Sequence, residues 1–450
     1  MTSGAALEPA ALSRVGFGCY RVHDEIHAQA LTAALDRGCN LVDTAASYGD
    51  GRSEELVGRV LRADRGRDAF VVTKVGYVTP TAAAALSAAD VNLDELRRLD
   101  ATSLYSLDPR ALAALMDQSR RRLGRSTLDA VLLHNPEHIL DPGQPDVEEA
   151  KRSVARALSF LADEVAAGGV RYFGVSSNAL APSPAAEPAD WLTETVFAAA
   201  AEERFALMQF PLNLLERGAV EPGPDGSSLA DRARALGVRT VSNRPLNALG
   251  PAGPVRLALY PTFDAEAQAE AERCFDDCVA LVSERLLALG DERSWADFIP
   301  MQFLRDNRDG VEDPEVVDVV WANRIYPFVG ALEGEEPWPQ GRECFRRMHA
   351  QMRAAAQARL EPRTREALSS MSRDDLTGPR ARDSLALAAC GFCLESGVDH
   401  VLVGMRTPRY VSAMAPLLAD GTGSPPDVNR AYAARGRAGR ACGPGRHRSR

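Results

Sequence analysis

Four side chains pose a chemical question before any fold is considered. Asp43 closes the apolar run NLVDT (40–44), and Tyr48 follows in the adjoining loop. Lys74 closes FVVTK (70–74), and His134 closes LDAVLLH (128–134). A free tyrosine has a pKa near ~10 and is a poor acid at neutral pH. An ammonium beside it is expected to favour the phenolate and lower that value, while a carboxylate beside the ammonium keeps the lysine charged. A histidine can donate to a carbonyl oxygen and orient it. Groups so arranged protonate an alkoxide as hydride reaches carbon. Singly, each residue reads as a cap, a satisfied polar group or packing. Four at the ends of successive apolar runs reverse that reading. The lysine count points the same way. Of 52 basic residues only Lys74 and Lys151 are lysine. A compact ammonium at 74 can sit between a carboxylate and a phenol, where an Arg fork is too large. Lys151 lies in a polar helical stretch and has no such account.

Eight short β-rich runs would have to carry these residues. They are VGFGCY (15–20), NLVDT (40–44), FVVTK (70–74), LDAVLLH (128–134), RYFGVSS (171–177), FALMQF (205–210), VRTVSN (238–243) and DHVLVGM (399–405). Several are continuously apolar, as strands buried on both faces are. Helical patterns separate them, at 27–38, 53–63, 108–124, 147–169, 188–203, 227–237 and 382–397. Gly38 is a helix stop, and Ser53 with two acids makes a helix start. Eight strands each followed by a helix or helix-bearing connection predict an α/β fold, a (β/α)8 TIM barrel over 13–252 and 379–418. Between the seventh run and the last helix lies an anomalously long connection, 253–378, with helical patterns at 264–290, 314–329 and 341–360. It leaves from the face on which barrel active sites are built, so it is expected to be a helical cap over the substrate mouth. An oligomer contact is the alternative.

Here the residues resemble a known family. DTAASYGDGRSEELVGRVL (43–61), VVTK (71–74), LDAVLLH (128–134), GVSSN (174–178) and MQFPLN (208–213) are similar, in order, to the motifs of aldo-keto reductases. The likeness extends over roughly 13–250 and 382–415. It implies a catalytic tetrad of Asp43, Tyr48, Lys74 and His134, with Tyr48 as proton donor. It also implies hydride transfer between a nicotinamide cofactor, NADPH rather than NADH, and a small carbonyl or alcohol. Ser177, Asn178 and Gln209 match residues that hold the nicotinamide carboxamide, a task suited to groups that both donate and accept. Asp43 would face the cofactor as well. Tyr20 would line the substrate side and Arg21 the cofactor side.

Two stretches depart from the family pattern. In SNRPLNA (242–248), Asn243 stands where the family stacks a tyrosine on nicotinamide, and Arg244 where a serine begins the pyrophosphate contacts. Arg244 is a plausible phosphate ligand. In GMRTPRYVSAM (404–414), Gly404, Arg406 and Arg409 are placed on the cofactor's adenosine side, while Ala413 and Met414 replace the adenine-binding residues. The same scaffold also admits imine reduction, dehydration or isomerisation, or nicotinamide binding without turnover. The altered strand and the long insertion keep those readings open.

Composition sets the outer limits. The chain has 450 residues, 45% hydrophobic and 25% charged, an ordinary globular balance. No run reaches the ~20 apolar residues of a membrane helix, and residues 1–14 lack a secretory pattern, so a cytoplasmic location is expected. A net charge of −10 argues against nucleic acid as a partner. Residues 421–450 hold seven arginines against one aspartate and little to bury, and are expected to be a disordered basic tail. The eight cysteines are at 19, 39, 274, 278, 344, 390, 393 and 442. Cys390 and Cys393 fall in an apolar helical stretch and read as core rather than metal ligands. Cys19 reads as packing and His138 as a loop residue. No metal is expected.

Overall fold

The computed structural model describes residues 12–63, 69–100, 103–181, 189–202, 204–223, 225–250, 253–258, 264–308, 310–311, 314–334, 336–369 and 384–419. The expected tail, 421–450, lies outside them, as do Cys442 and residues 1–11.

Eight strands close into a parallel barrel: β1 (Val15–Gly18), β2 (Leu41–Asp43), β3 (Phe70–Val75), β4 (Leu128–His134), β5 (Val170–Ser176), β6 (Phe205–Pro211), β7 (Arg239–Asn243) and β8 (His400–Val403). Each pairs with the next, and β8 returns to β1. All residues of β3, β6 and β8 are buried, which is why their sequences run apolar without alternation. Side chains such as Leu41, Phe70, Leu132, Leu207 and Leu402 fill the barrel interior, so it is a packed core rather than a pore.

Register brings the chemistry to one rim. Asp43 lies opposite Gly18 and Val72, Lys74 opposite Leu132, and Ser176 opposite both His134 and Gln209. Between β5 and β6 the register slips at Phe173/Gly174. A Cβ at Gly174 would stand 1.9 Å from the Leu207 carbonyl oxygen, so only glycine lets the two backbones meet there.

The helices follow their local signals. In Pro109–Leu123, Asp108 accepts from the Arg110 N–H, Pro109 opens the first turn, and Gly124 ends it at φ 67°. Helix Arg52–Ala63 begins at the expected place, but Glu54 does more than oppose the helix dipole. It is fully buried and accepts from Thr73 Oγ1 at 2.5 Å and from Arg122 Nε at 2.6 Å. It thereby ties the helix to β3 one residue before Lys74.

Between β3 and helix Pro109–Leu123 the chain forms elements the sequence patterns did not suggest. Tyr77–Val78, Leu104–Tyr105 and Arg97–Arg98 make a small antiparallel sheet in that order, with helix Pro80–Ala88 in the connection. Two-residue strands are too short to leave a periodic signal.

Residues Val255–Arg373 form a compact unit of their own, separate from the barrel unit of 1–254 and 374–450. Its helices are Ala265–Ala288, Ile299–Asn307, Pro314–Val320, Tyr326–Glu333 and Pro339–Ser369. The core gathers around the fully buried Trp321, with Val282, Met301, Phe345 and Met348. Trp321–Ile325 is a π-helical turn. The Trp321 ring stacks on His349 at 4.7 Å, and His349 is held between Asp318 (3.0 Å) and the Tyr326 hydroxyl (3.1 Å). Among the described residues no helix is long and apolar enough to cross a membrane.

Candidate active site

The barrel rim assembles the four residues picked out by chemistry. Lys74 has a fully buried side chain at the end of β3. Its Nζ donates to Asp43 Oδ2 at 2.7 Å, to the Thr44 carbonyl at 2.8 Å and to Tyr48 Oη at 3.4 Å. The Tyr48 ring lies edge to face with His134 at 5.9 Å and with Tyr20 at 5.3 Å. Tyr48 and His134 are only half-buried, so each keeps surface at the mouth. The loop holding Tyr48 is anchored by Thr44 Oγ1 on Ser53 Oγ (2.9 Å) and by Ser53 Oγ on the Cys19 carbonyl (3.1 Å).

The electrostatics differ from expectation at one point. The ammonium was expected to lower the phenol's pKa. Burial, with Asp43 next in effect, instead raises Tyr48 well above the ordinary phenol value. The reason is geometric: Lys74 makes its two short bonds to Asp43 and Thr44, and reaches the phenol only at 3.4 Å. Tyr48 is therefore firmly a neutral O–H. Burial, aided by Lys74 and His138, pushes His134 well below the usual imidazole range, so it is neutral too.

A second set of hydrogen bonds runs from the tetrad into amides. Gln209 Nε2 donates to Asp43 Oδ1 at 2.8 Å. Gln209 Oε1 accepts from Ser176 Oγ at 2.8 Å and from Asn243 Nδ2 at 3.3 Å. Asn243 thus joins an amide cluster where a stacking ring was expected. Its Oδ1 is buried and has no hydrogen-bond partner among the described residues. A spare Gln209 N–H and an unsatisfied Asn243 oxygen set a donor beside an acceptor, which is what a carboxamide requires.

Ser177 and Asn178 are held from the other side by Glu137, a residue the sequence did not single out. Ser177 Oγ donates to Glu137 Oε2 at 2.8 Å, and the Asn178 backbone N–H donates to Oε1 at 3.2 Å. Asn178 Nδ2 donates to Asn135 Oδ1, and Asn135 Nδ2 to Tyr77 Oη. Tyr77 packs edge to face on His134 at 4.9 Å, and Tyr105 Oη donates to the His134 carbonyl at 2.9 Å. His138 sits in the turn Pro136–Ile139 with its ring against both tyrosines. The HNPEH string was the available signal: Asn135, Glu137 and His138 all turn toward the site. Cys19 is buried, and burial raises its thiol pKa well above the ordinary value. Cys390 and Cys393 are buried in helix Leu385–Glu395.

Arg21, Arg244, Gly404, Arg406 and Arg409 are placed less simply. Arg244 has a left-handed backbone (φ 53°) just after β7, as Arg21 has (φ 62°) just after β1, conformations that cost a non-glycine residue about 1 kcal/mol or more. Arg244 Nη2 pairs at 2.5 Å with Glu216, a fully buried carboxylate that also accepts from Asn213 and from the Leu249 N–H. Its charge is compensated by that pair. The Arg21 guanidinium lies 5.3 Å from the Tyr20 ring. Gly404, Arg406 and Arg409 follow β8, Arg406 beside His27 and Arg409 exposed.

This geometry can be set beside known proteins. The sequence profile of the Aldo/keto reductase family matches residues 14–247, just over half of the chain. The chain belongs to the aldo/keto reductase family. The match spans β1 to β7 and stops before Gly404, Arg406 and Arg409. An aldo-keto reductase of Schizosaccharomyces pombe, named with NADP(+), is 26% identical over 170 residues, 36% of this chain and 42% of that protein. A D-threo-aldose 1-dehydrogenase of a Pseudomonas species is 31% identical over 183 residues, 38% of this chain and 52% of that protein. The chain therefore spans about half, or less, of the curated relatives it matches. The solved structure of a glycerol dehydrogenase from Gluconobacter oxydans aligns over 80% of this chain and 92% of its own, at 20% identity and a TM-score of 0.36.

Proposed function

We propose that the protein is an NADPH-dependent carbonyl reductase or alcohol dehydrogenase, with Tyr48 as the proton donor. One observation carries the reading: a neutral, partly buried phenol lies 3.4 Å from an ammonium that is itself paired with a buried carboxylate. A raised phenol pKa does not prevent donation, because an alkoxide forming from a carbonyl is far more basic than a phenolate. Lys74 stabilises the phenolate left behind. His134, neutral, presents a ring N–H to the carbonyl oxygen and orients it toward Tyr48.

The chain's residues fit a nicotinamide at one end. Gln209, Asn243, Ser177 and Asn178 would hold its carboxamide, a reading that the unsatisfied Asn243 oxygen supports. The cofactor, when bound, supplies or accepts the hydride. Arg406 and Arg409 would take the adenosine end, and their two charges favour the phosphorylated form, in line with the NADP(+) of one relative's name. Arg244, already paired with Glu216, serves chiefly to hold the loops after β6 and β7 together.

The test is direct. NADPH and NADH are titrated by the cofactor's own fluorescence, and turnover is followed on a panel of aldehydes, ketones and imines. Tight NADPH binding with aldehyde or ketone turnover is expected. Failure to bind either cofactor overturns the reading. Tyr48→Phe should lower carbonyl reduction by about 10²–10⁴-fold while leaving NADPH affinity within about twofold. Persistent activity would mean that the proton comes from elsewhere.

A further inference from the structure

The helical unit contains a pair of thiols that the reductase chemistry does not use. Helix Ala265–Ala288 carries Cys274 and Cys278 one turn apart, and helix Pro339–Ser369 carries Cys344. Cys278 Sγ and Cys344 Sγ are 3.1 Å apart, a sulfur–sulfur hydrogen bond between residues 66 apart in sequence. Both are buried, Cys278 at 0% and Cys344 at 5%, and of the two only Cys344 lines a cavity of about 630 Å³, which Asp277, Glu343 and Arg347 line as well. Arg347 supplies a cation at that cavity. It is fixed by Glu270 at 2.7 Å and Asp277 at 3.6 Å, and it reaches Cys274 Sγ at 3.5 Å.

We propose that Cys278 and Cys344 form a reactive dithiol that a small hydroperoxide oxidises to a disulfide, with Cys344 attacking and Cys278 resolving. The geometry favours this division of roles. Cys344 lines the cavity that Arg347 also lines, and Cys278 stands behind it with its sulfur 3.1 Å away. Closing the bond to ~2.0 Å requires the sulfurs, now 3.1 Å apart, to approach by about 1 Å.

The chemistry balances without a further reagent. The Cys344 thiolate attacks one peroxide oxygen, the O–O bond breaks, and the leaving hydroxide or alkoxide takes a proton. Cys344 is now a sulfenic acid. The Cys278 sulfur attacks the Cys344 sulfur, the S–S bond forms, and the sulfenic oxygen departs as water with the proton of Cys278. Two thiols lose two electrons and the hydroperoxide gains them. A small thiol reductant reverses the change. The product joins the two longest helices of the unit covalently.

The full-length reduced protein is treated with one equivalent of hydrogen peroxide, denatured, alkylated and peptide-mapped. The expected result is loss of two alkylatable thiols and a crosslink between the Cys278 and Cys344 peptides, reversed by dithiothreitol. Oxidation at Cys344 should outpace that at Cys19 or Cys393 by at least about tenfold, because burial raises the pKa of both of those thiols. In Cys278→Ser, dimedone should trap a sulfenic acid on Cys344. Intact thiols at both positions after peroxide would overturn the proposal, and so would a crosslink to Cys274 or Cys442 in their place. The wild-type map needs no variant, so a poorly folding substitution leaves the test decisive.

Discussion

At the scale of single residues, Lys74 decides the most. Its ammonium is buried, and its partners are a carboxylate, a backbone carbonyl and a phenol. Lys74→Met strips a buried carboxylate of its counter-charge and is expected to lower stability by about 3–5 kcal/mol, read from urea midpoints. The double variant Asp43→Asn, Lys74→Met should recover a good part of that loss, whereas Lys74→Arg should not restore activity, since its fork cannot replace a point charge. An unchanged midpoint in the single variant would show that water reaches Asp43. Asn243 carries a different lesson. The sequence marks it as a missing ring; the structure places it within an amide cluster on Gln209, with one oxygen unsatisfied. Glu137 was invisible for a plain reason. A carboxylate three residues after a histidine carries no signal until β5 delivers Ser177 and Asn178 to it.

At the scale of elements, two joints of the barrel make testable demands. Gly174 allows β5 to slip against β6, and that slip sets Ser176 opposite Gln209. Gly174→Ala should cost about 3 kcal/mol in urea unfolding and weaken cofactor binding through the displaced amides. At the β8–β1 seam, His400 is buried, its Nδ1 lies 3.0 Å from the Ser13 carbonyl, and burial holds its pKa at about 4. The unfolded chain binds that proton near pH 6.5 and the native protein does not. Stability should therefore be level above pH 6.5 and fall by about 3 kcal/mol as pH drops toward 4. In His400→Gln this slope should flatten, as measured by urea midpoints at pH 7.5 and 4.5; an equal slope in both proteins would place the titration elsewhere. The barrel strands and the tetrad were legible because runs of buried, β-rich residues end in polar groups, and that pattern is local. The small sheet of Tyr77, Leu104 and Arg97 was not, because two-residue strands have no periodicity. The contact between Cys278 and Cys344 was equally hidden, since only the packing of two distant helices creates it.

At the scale of the whole molecule, two units have two separate cores. Urea unfolding should then show two transitions rather than one. Trp295, Trp321 and Trp338 lie in the helical unit and Trp191 in the barrel unit, so tryptophan fluorescence reports mainly the former. Trp321→Ala should move the fluorescence transition by about 3–5 kcal/mol and leave the loss of the NADPH proposed to bind the barrel almost in place. A single coincident transition would mean that the units unfold together. The scarcity of lysine has a practical side as well. The Lys74 side chain is completely buried, while Lys151 sits on helix Val147–Ala166 with a third of its side chain exposed and a 3.1 Å contact to Glu148. Amine-reactive reagents thus meet one accessible lysine on the folded protein. A dye, a surface or a crosslinker attached there lands on an outer helix of the barrel, and the Lys74 amine stays out of reach.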